Sequence, residues 1–314
     1  KHGFDRKSIR ESIASWFYTS TSSIPYTENI VRRNIKVITD ALHLAFDESE
    51  IISKKPVFPC QNSQKVPAIA LVIGASWPSK CYPKEKFAQL CKLLPLPCTL
   101  IWGSQKEHED AVWIANNASN ATIAPQMDLK ALTCYLAQCK LIIGNDTGPT
   151  HMGWAMNIPS ITLFGPTNER MIYATSSNIG IHSPSEVNIL KINREDFSIN
   201  QIDPYVLQVM ENRRLPKEEV VSSVQFENLE NITPYLERKQ PIIFVSGHFG
   251  NWEVGGVAMA SRLTPISTIY KGFENARFDP YLKIARSRFG LDPFEKNGAL
   301  KHMAKTLKNG KSLM

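Results

Sequence analysis

The sequence predicts an α/β protein: a Rossmann-like parallel-sheet domain followed by a second, incomplete α/β domain. Three observations predict it. From residue 67 to about 170, short apolar runs alternate with amphipathic stretches, the pattern of a parallel sheet covered by helices on both faces. The same alternation restarts near residue 217, after a poorly patterned stretch. The length of 314 residues suits about two domains. The expected division is 1–66, helical and linker; 67–216, a Rossmann-like domain with a C-terminal tail; and 217–314, a partial second domain.

Taken in order, helices are expected near 5–17 and 28–46, the second with apolar residues at helical spacing. Residues 51–66 are polar, contain two prolines and read as a linker. PAIALVIG (67–74) is a strand, PKEKFAQLCKLL (83–94) a helix with Pro83 near its first turn, and CTLIW (98–102) a strand. A helix near 106–118 and a short strand at 121–124 follow. DLKALTCYLAQC (128–139) is a helix that Asp128 can cap. KLIIGND (140–146) is a strand, GPTHMGWAM (148–156) a short helix and SITLF (160–164) the last strand of this series. A helix near 204–212 is the one element expected between 175 and 216. In the second domain FENLENITPYL (226–236) reads as a helix, PIIFVSG (241–247) as a buried strand and TPISTIY (264–270) as another strand. A helix is expected between those two strands, and others at about 277–289 and 297–309, before a strand beginning near Ser312.

Hydrophobic content of 43% and charged content of 21% are those of an ordinary globular protein. No run of about 18 uncharged apolar residues exists to span a bilayer. The net charge of +7 is unevenly placed: residues 254–314 hold 11 Lys/Arg against 4 Asp/Glu, leaving 25 of each before residue 254. A basic C-terminal segment suits an anionic partner, a lipid surface or an acidic protein. No nucleic-acid-binding motif accompanies it, so nucleic acid is not expected. The six cysteines form no C-x-x-C pair and no zinc spacing, and read as small buried hydrophobes in a reducing cytoplasm. No metal is expected.

Parallel sheets bind ligands beyond the C-terminal ends of their strands. Four polar clusters fall at such ends: Gly74-Ala75-Ser76 with Lys80; Trp102-Gly103 with Glu107; Asn145 to His151; and Phe164 to Thr167. Small residues let backbone amides approach a diphosphate, and a helix N-terminus stabilises its charge. Lys80 can neutralise phosphate, Glu107 can accept ribose hydroxyls, and Asp146 can orient sugar hydroxyls. The glycines do not spell G-x-G-x-x-G, which weakens a nicotinamide reading.

GNDTGPTHMGWAMNIPSITLFGPT (144–167) closely resembles the signature of glycosyltransferase family 9, the ADP-heptose:lipopolysaccharide heptosyltransferases. GASWPSKCYPKEKFAQL resembles that family's phosphate-binding segment, IWGSQKEHEDA its ribose-binding segment, and GFDRKSIRESIASWFY the end of its N-terminal domain. The resemblance covers roughly 1–212, is nearest to type I, and implies the C-terminal half of a GT-B fold. It implies that Ser76 and Lys80 contact phosphates, Glu107 the ribose, and Asp146, Thr147 and Gly148 the heptose or diphosphate, with His151 close by. Lys7 and Arg10 would face the acidic Kdo-lipid A acceptor. The family's catalytic base lies in a domain almost wholly missing here, so the chain is expected to bind donor better than it turns over; the alternative is a non-catalytic or truncated product that binds only ADP or ADP-heptose.

SGHFGNWE sets His248 and Glu253 five residues apart. On one continuous helix they would point about 140° apart. With His248 at a strand end and Glu253 one turn into a helix they can meet, the carboxylate fixing the imidazole as a general base. VSGHFGNWE followed by STIYKGFENARFDPYLKIARSRFG resembles the lysophospholipid-acyltransferase superfamily, nearest to late lipid A acyltransferases of the lauroyl or myristoyl type. That resemblance, over about 218–314, implies His248 as base, Glu253 as its partner, and Lys271, Arg286 and Arg288 as contacts for acyl carrier protein or lipid phosphates. Together the two resemblances imply peripheral action at the cytoplasmic face of the inner membrane on ADP-heptose and acyl-acyl carrier protein, without a cofactor.

Overall fold

The computed structural model describes residues 1–58, 60, 68–212, 216–247, 252–272 and 279–314. It divides into two compact units, Lys1–Ile202 and Asp203–Met314.

The first unit opens with β1 (His2–Phe4), which pairs in parallel with β2 (Ser20–Ser22). The helix expected near 5–17 is not there. The Asp5 carboxylate takes the amides of Lys7 and Ser8 in a turn, and only a 3-10 segment, Ser12–Phe17, follows. None of its six residues is buried, so no packed face stabilises an α-helix. α1 (Ile30–Leu42) does form, capped by Asn29 and ended by His43 in a left-handed conformation. Its Arg33 is buried and donates to the carbonyls of Ser8, Ile24 and Pro25, with the Phe4 ring 4.2 Å away. This one side chain ties the opening segment to α1. The stretch expected as a linker begins instead with a short helix, α2 (Ser49–Ser53); residues 61–67 lie outside the described residues.

The main sheet follows: β3 (Ile69–Val72), α3 (Lys84–Leu93), β4 (Cys98–Ile101), α4 (Gln105–Asn117), β5 (Ala121–Ile123), α5 (Leu129–Gln138), β6 (Leu141–Asn145), α6 (Gly148–Ala155), β7 (Ser160–Phe164) and β8 (Asn178–His182). All six strands are parallel, in the order β5-β4-β3-β6-β7-β8. Every residue of β3, β4, β6 and β7 is buried, as strands covered on both faces require. Asp128 caps α5 through the Ala131 amide at 2.7 Å, as its position predicted. SITLF is not the last strand: β8 adds to β7 from the stretch that lacked a pattern, because Asn178 and Gly180 interrupt its apolar run. Gly153 lets α6 sit directly on the sheet, since a Cβ there would stand 2.5 Å from Ile142 Cδ1.

The order reverses between β3 and β6. That is the dinucleotide-fold strand order, and the reversal creates the crevice in which such sheets bind ligands. Asn145, fully buried, holds the crevice together. Its Oδ1 accepts the Tyr82 amide at 2.9 Å and its Nδ2 donates to the Ile73 carbonyl at 2.8 Å.

The second unit comprises α7 (Pro204–Asn212), α8 (Lys217–Ser222), α9 (Thr233–Glu237), α10 (Trp252–Arg262), β9 (Ile266–Tyr270), α11 (Asp279–Arg286), β10 (Leu291–Glu295), α12 (Ala299–Lys308) and β11 (Ser312–Leu313). Its three strands are parallel, in the order β10-β9-β11. The core lies between α8, α10 and the sheet, around Val220, Val254, Val257 and Ile266. Two expectations are corrected. The helix expected over 226–236 breaks into a 3-10 turn, Leu229–Asn231, and the short α9, because Asn228 is left-handed and Pro234 carries no amide hydrogen. PIIFVSG is not a buried strand. It makes one parallel bridge, Ile243 to Leu313, and Val245 is 94% exposed, since among the described residues only two-residue β11 pairs with it. Conversely LDPFE forms β10, an element the pattern did not reveal.

Candidate active site

At the crevice, β6 ends in a carboxylate with three partners. Asp146 is 3% exposed. Its Oδ2 accepts from Lys80 Nζ at 2.9 Å and from Thr167 Oγ1 at 2.7 Å, and its Oδ1 meets His151 Nε2 at 2.9 Å. Each partner comes from a different segment. Lys80 ends the 3-10 turn after β3, Thr167 follows β7, and His151 lies one turn into α6. Burial pushes the Asp146 carboxyl up, but the His151 hydrogen bond, the Lys80 charge and the Thr167 hydroxyl outweigh it and hold the group at about 2. A carboxylate that acidic is a poor general base near neutral pH; what it does in this cluster is hold Lys80, His151 and Thr167 together.

The predicted residues Lys80, Asp146 and His151 therefore form one cluster. Thr147 and Gly148 adjoin it at the start of α6. Thr147 makes no side-chain cap, and nothing lies within 4 Å of where a Gly148 Cβ would stand. Ser76 is exposed on the loop after β3. Glu107 is placed at the end of β4, but it is already engaged. Its Oε2 takes the amides of Gly103 and Ser104, while the Ser104 hydroxyl takes the Glu107 amide: a capping box spelled S-Q-K-E in the sequence. The carboxylate also lies across Gly74, where a Cβ would stand 2.1 Å from Oε1; only glycine leaves room for it.

Sequence reasoning placed Asn145 and Thr167 in clusters at strand ends without giving either a role, and it missed a cationic aromatic platform. The Trp77 ring has Lys80 Nζ 5.2 Å and the Arg194 guanidinium 4.6 Å from its centre. Arg194 lies 114 positions beyond Lys80, so no local spacing reveals it. Lys7 and Arg10 are exposed, Arg10 beside Glu11 at 3.7 Å, and neither belongs to this cluster.

In the second unit His248 lies outside the described residues. Glu253, buried in the first turn of α10, pairs with Arg286 of α11, whose Nε lies 3.0 and 2.9 Å from its two oxygens, and it accepts from the Tyr205 hydroxyl. The guanidinium lies 5.1 Å from the Trp252 ring centre and 5.5 Å from that of Tyr270. Burial works against the Arg286 charge, and Glu253 more than offsets it. Burial and then the Glu253 charge push the Tyr205 phenol above its ordinary range. Arg286, expected to face a carrier or lipid phosphate, is buried and paired with Glu253, and a guanidinium buried to this degree has to keep its counter-ion. Lys271 is exposed after β9. Arg288 lines a pocket with Glu253 and the apolar side chains of Val209, Val220, Val254, Val257 and Ala285. Among the described residues no cluster of His, Cys, Asp or Glu is placed to hold a metal, and no helix is long and apolar enough to cross a membrane.

Comparison with known proteins agrees with this division. Residues 192–314 match the family model of the bacterial lipid A biosynthesis acyltransferases. Lipopolysaccharide heptosyltransferase 1 of Campylobacter coli is 34% identical over 224 residues, 64% of this chain and 66% of that protein. Its namesake from Pseudomonas aeruginosa is 28% identical over 172 residues, 53% of this chain and 48% of that protein. The chain thus spans about half to two thirds of the length of these relatives. Among solved structures, E. coli heptosyltransferase WaaC with ADP-2-deoxy-2-fluoro heptose superposes with a TM-score of 0.52 at 23% identity, covering 67% of this chain and 64% of that one. The same enzyme with ADP gives 0.53 at 22%, covering 66% and 63%. These two share the fold. With residues 1–197 matching the model of the heptosyltransferase family, and the buried lysine–aspartate pair seated where its parallel sheet reverses, the chain belongs to glycosyltransferase family 9.

Proposed function

We propose that the first unit binds ADP-heptose and serves heptosyl transfer to the Kdo-lipid A inner core. The observation that carries this is the Asp146 cluster at the strand reversal. An ammonium has three donors, and Asp146 uses one of those on Lys80, leaving the others for a diphosphate at the start of α6, where a helix N-terminus favours negative charge. Ser76 and Arg194 add donors on the β3 side. Glu107 keeps Oε1 for a ribose hydroxyl. His151 and Asp146 orient sugar hydroxyls, and Lys7 and Arg10 face the acidic acceptor. The low basicity of Asp146 favours a unit that holds donor and depends on another group for the acceptor proton, so binding without turnover is the second reading.

The test is calorimetry with ADP on the whole chain without added metal. Lys80→Ala should weaken binding by about 1–3 kcal/mol, the scale of a charge-assisted hydrogen bond. Unchanged affinity removes Lys80 from the site. Heptosyl transfer by the chain alone separates the two readings.

For the second unit we propose acyl transfer from acyl carrier protein to a lipid A precursor, supported by the family match over 192–314. His248 is the base in this reading, and Glu253 its partner. Arg288 and Lys271 receive the anionic carrier or lipid phosphate, at the cytoplasmic face of the inner membrane.

A further inference from the structure

Six cysteines are distributed through the first unit, all as free thiols. Cys98 and Cys139 sit in the core with their Sγ atoms 3.6 Å from the Leu96 and Tyr135 carbonyls, and half-buried Cys81 has its Sγ 3.7 Å from the Trp77 carbonyl. Cys60 and Cys134 differ. Cys60 follows α2, Cys134 projects from α5, and their sulfurs are 2.7 Å apart. That is about 0.7 Å beyond a disulfide bond. Both residues are half-buried, so a small reagent can reach them. Cys60 also packs on the core face that contains Leu132, Leu136 and Ile142, which holds it against α5. Cys91 and Cys98 also face one another, but both are fully enclosed.

We propose that Cys60 and Cys134 are a redox modification site: a reversible disulfide, formed by exchange with a small-molecule disulfide of the glutathione type, that staples the segment after α2 to α5. The Cys134 thiolate attacks one sulfur of the reagent and expels the other as a thiolate, giving a mixed disulfide on Cys134. The Cys60 thiolate then attacks the Cys134 sulfur and expels the second small thiol. Two protein thiols are oxidised, one small-molecule disulfide is reduced to two thiols, and the two protons given up by the protein thiols are taken up by the two leaving thiolates. Burial and the neighbouring Cys134 push the Cys60 thiol up, which makes it the poorer first nucleophile. Held against its target, it is suited to the intramolecular second step.

Incubation of the full chain with oxidised glutathione, followed by thiol titration in denaturant and non-reducing peptide mapping, tests this. The expected result is loss of two of the six thiols, one linked peptide pair containing Cys60 and Cys134, and a raised thermal midpoint that reductant reverses, because the bond closes a long loop in the unfolded chain. In Cys60→Ser the exchange should stop at glutathione on Cys134; Cys134→Ser, should the first variant fail to fold, should lose the link. Six free thiols after oxidation overturn the proposal, as do stable glutathione adducts on both cysteines or a link between Cys91 and Cys98.

Discussion

Replacing Asp146 with Asn removes one charge from the crevice and little volume. The size of the effect follows from the geometry. The carboxyl is held at about 2 against an ordinary 3.8, a displacement on the order of 2–3 kcal/mol of stability at neutral pH. The variant also leaves Lys80, whose side chain is 11% exposed, without its counter-ion, and breaking a buried pair from one side costs about 3–5 kcal/mol. Asparagine still offers an acceptor to Thr167, so the expected loss is about 2–4 kcal/mol. Because the folded carboxyl is the stronger acid, its contribution is complete above pH 3.8 and is lost as pH falls through about 2; the gap between wild type and variant should narrow over that window. Urea denaturation followed by tryptophan fluorescence reads the first unit selectively, since Trp16, Trp77, Trp102, Trp113 and Trp154 lie in it and only Trp252 in the second. Adding Lys80→Met should restore part of the loss. Equal midpoints for wild type and Asp146→Asn, or a double variant no more stable than the single one, would refute a charge-held cluster.

The second unit offers two further predictions. Arg286→Met strands Glu253 in a buried setting and should cost about 3–5 kcal/mol, whereas the double variant with Glu253→Gln should recover much of it; calorimetric unfolding of the two variants decides. His248→Ala should reduce acyl transfer about 10²–10⁴-fold in a carrier-dependent assay with the full-length protein, and wild-type rates would remove the histidine from the reaction.

What the sequence made legible was whatever depends on neighbours along the chain. The apolar runs of β3, β4, β6 and β7 are continuous because both their faces are covered, and Asp128 marks the start of α5 by its position alone. The signal for Glu107 was present but read only one way: S-Q-K-E is a helix-start pattern, and the carboxylate performs that task whether or not it meets a ribose. Short-range patterns misled where packing decides. Ser12–Phe17 has helix-compatible residues and no face to bury, while PIIFVSG has a buried strand's composition and one bridged residue. The pairing of Glu253 with Arg286 was beyond reach, because 33 residues separate them and only the approach of α10 to α11 brings them together. The Cys60–Cys134 approach spans 74 residues and was hidden for the same reason.

The strand order also sets a schedule for synthesis. β3 emerges first but ends in the middle of the sheet; β4 and β5 extend it on one side, and its other side stays open until β6 appears. Val72 and Leu141 are 69 residues apart, which at typical elongation rates is a delay of about 3–14 s. Throughout it, an apolar strand destined for complete enclosure exposes one row of unpaired amides and carbonyls to any other nascent chain. The half-sheet of β3, β4 and β5 can be complete only once Ile123 is made, 18 residues before Leu141, and the arrival of Asn145 then closes it by bridging β6 to the end of β3.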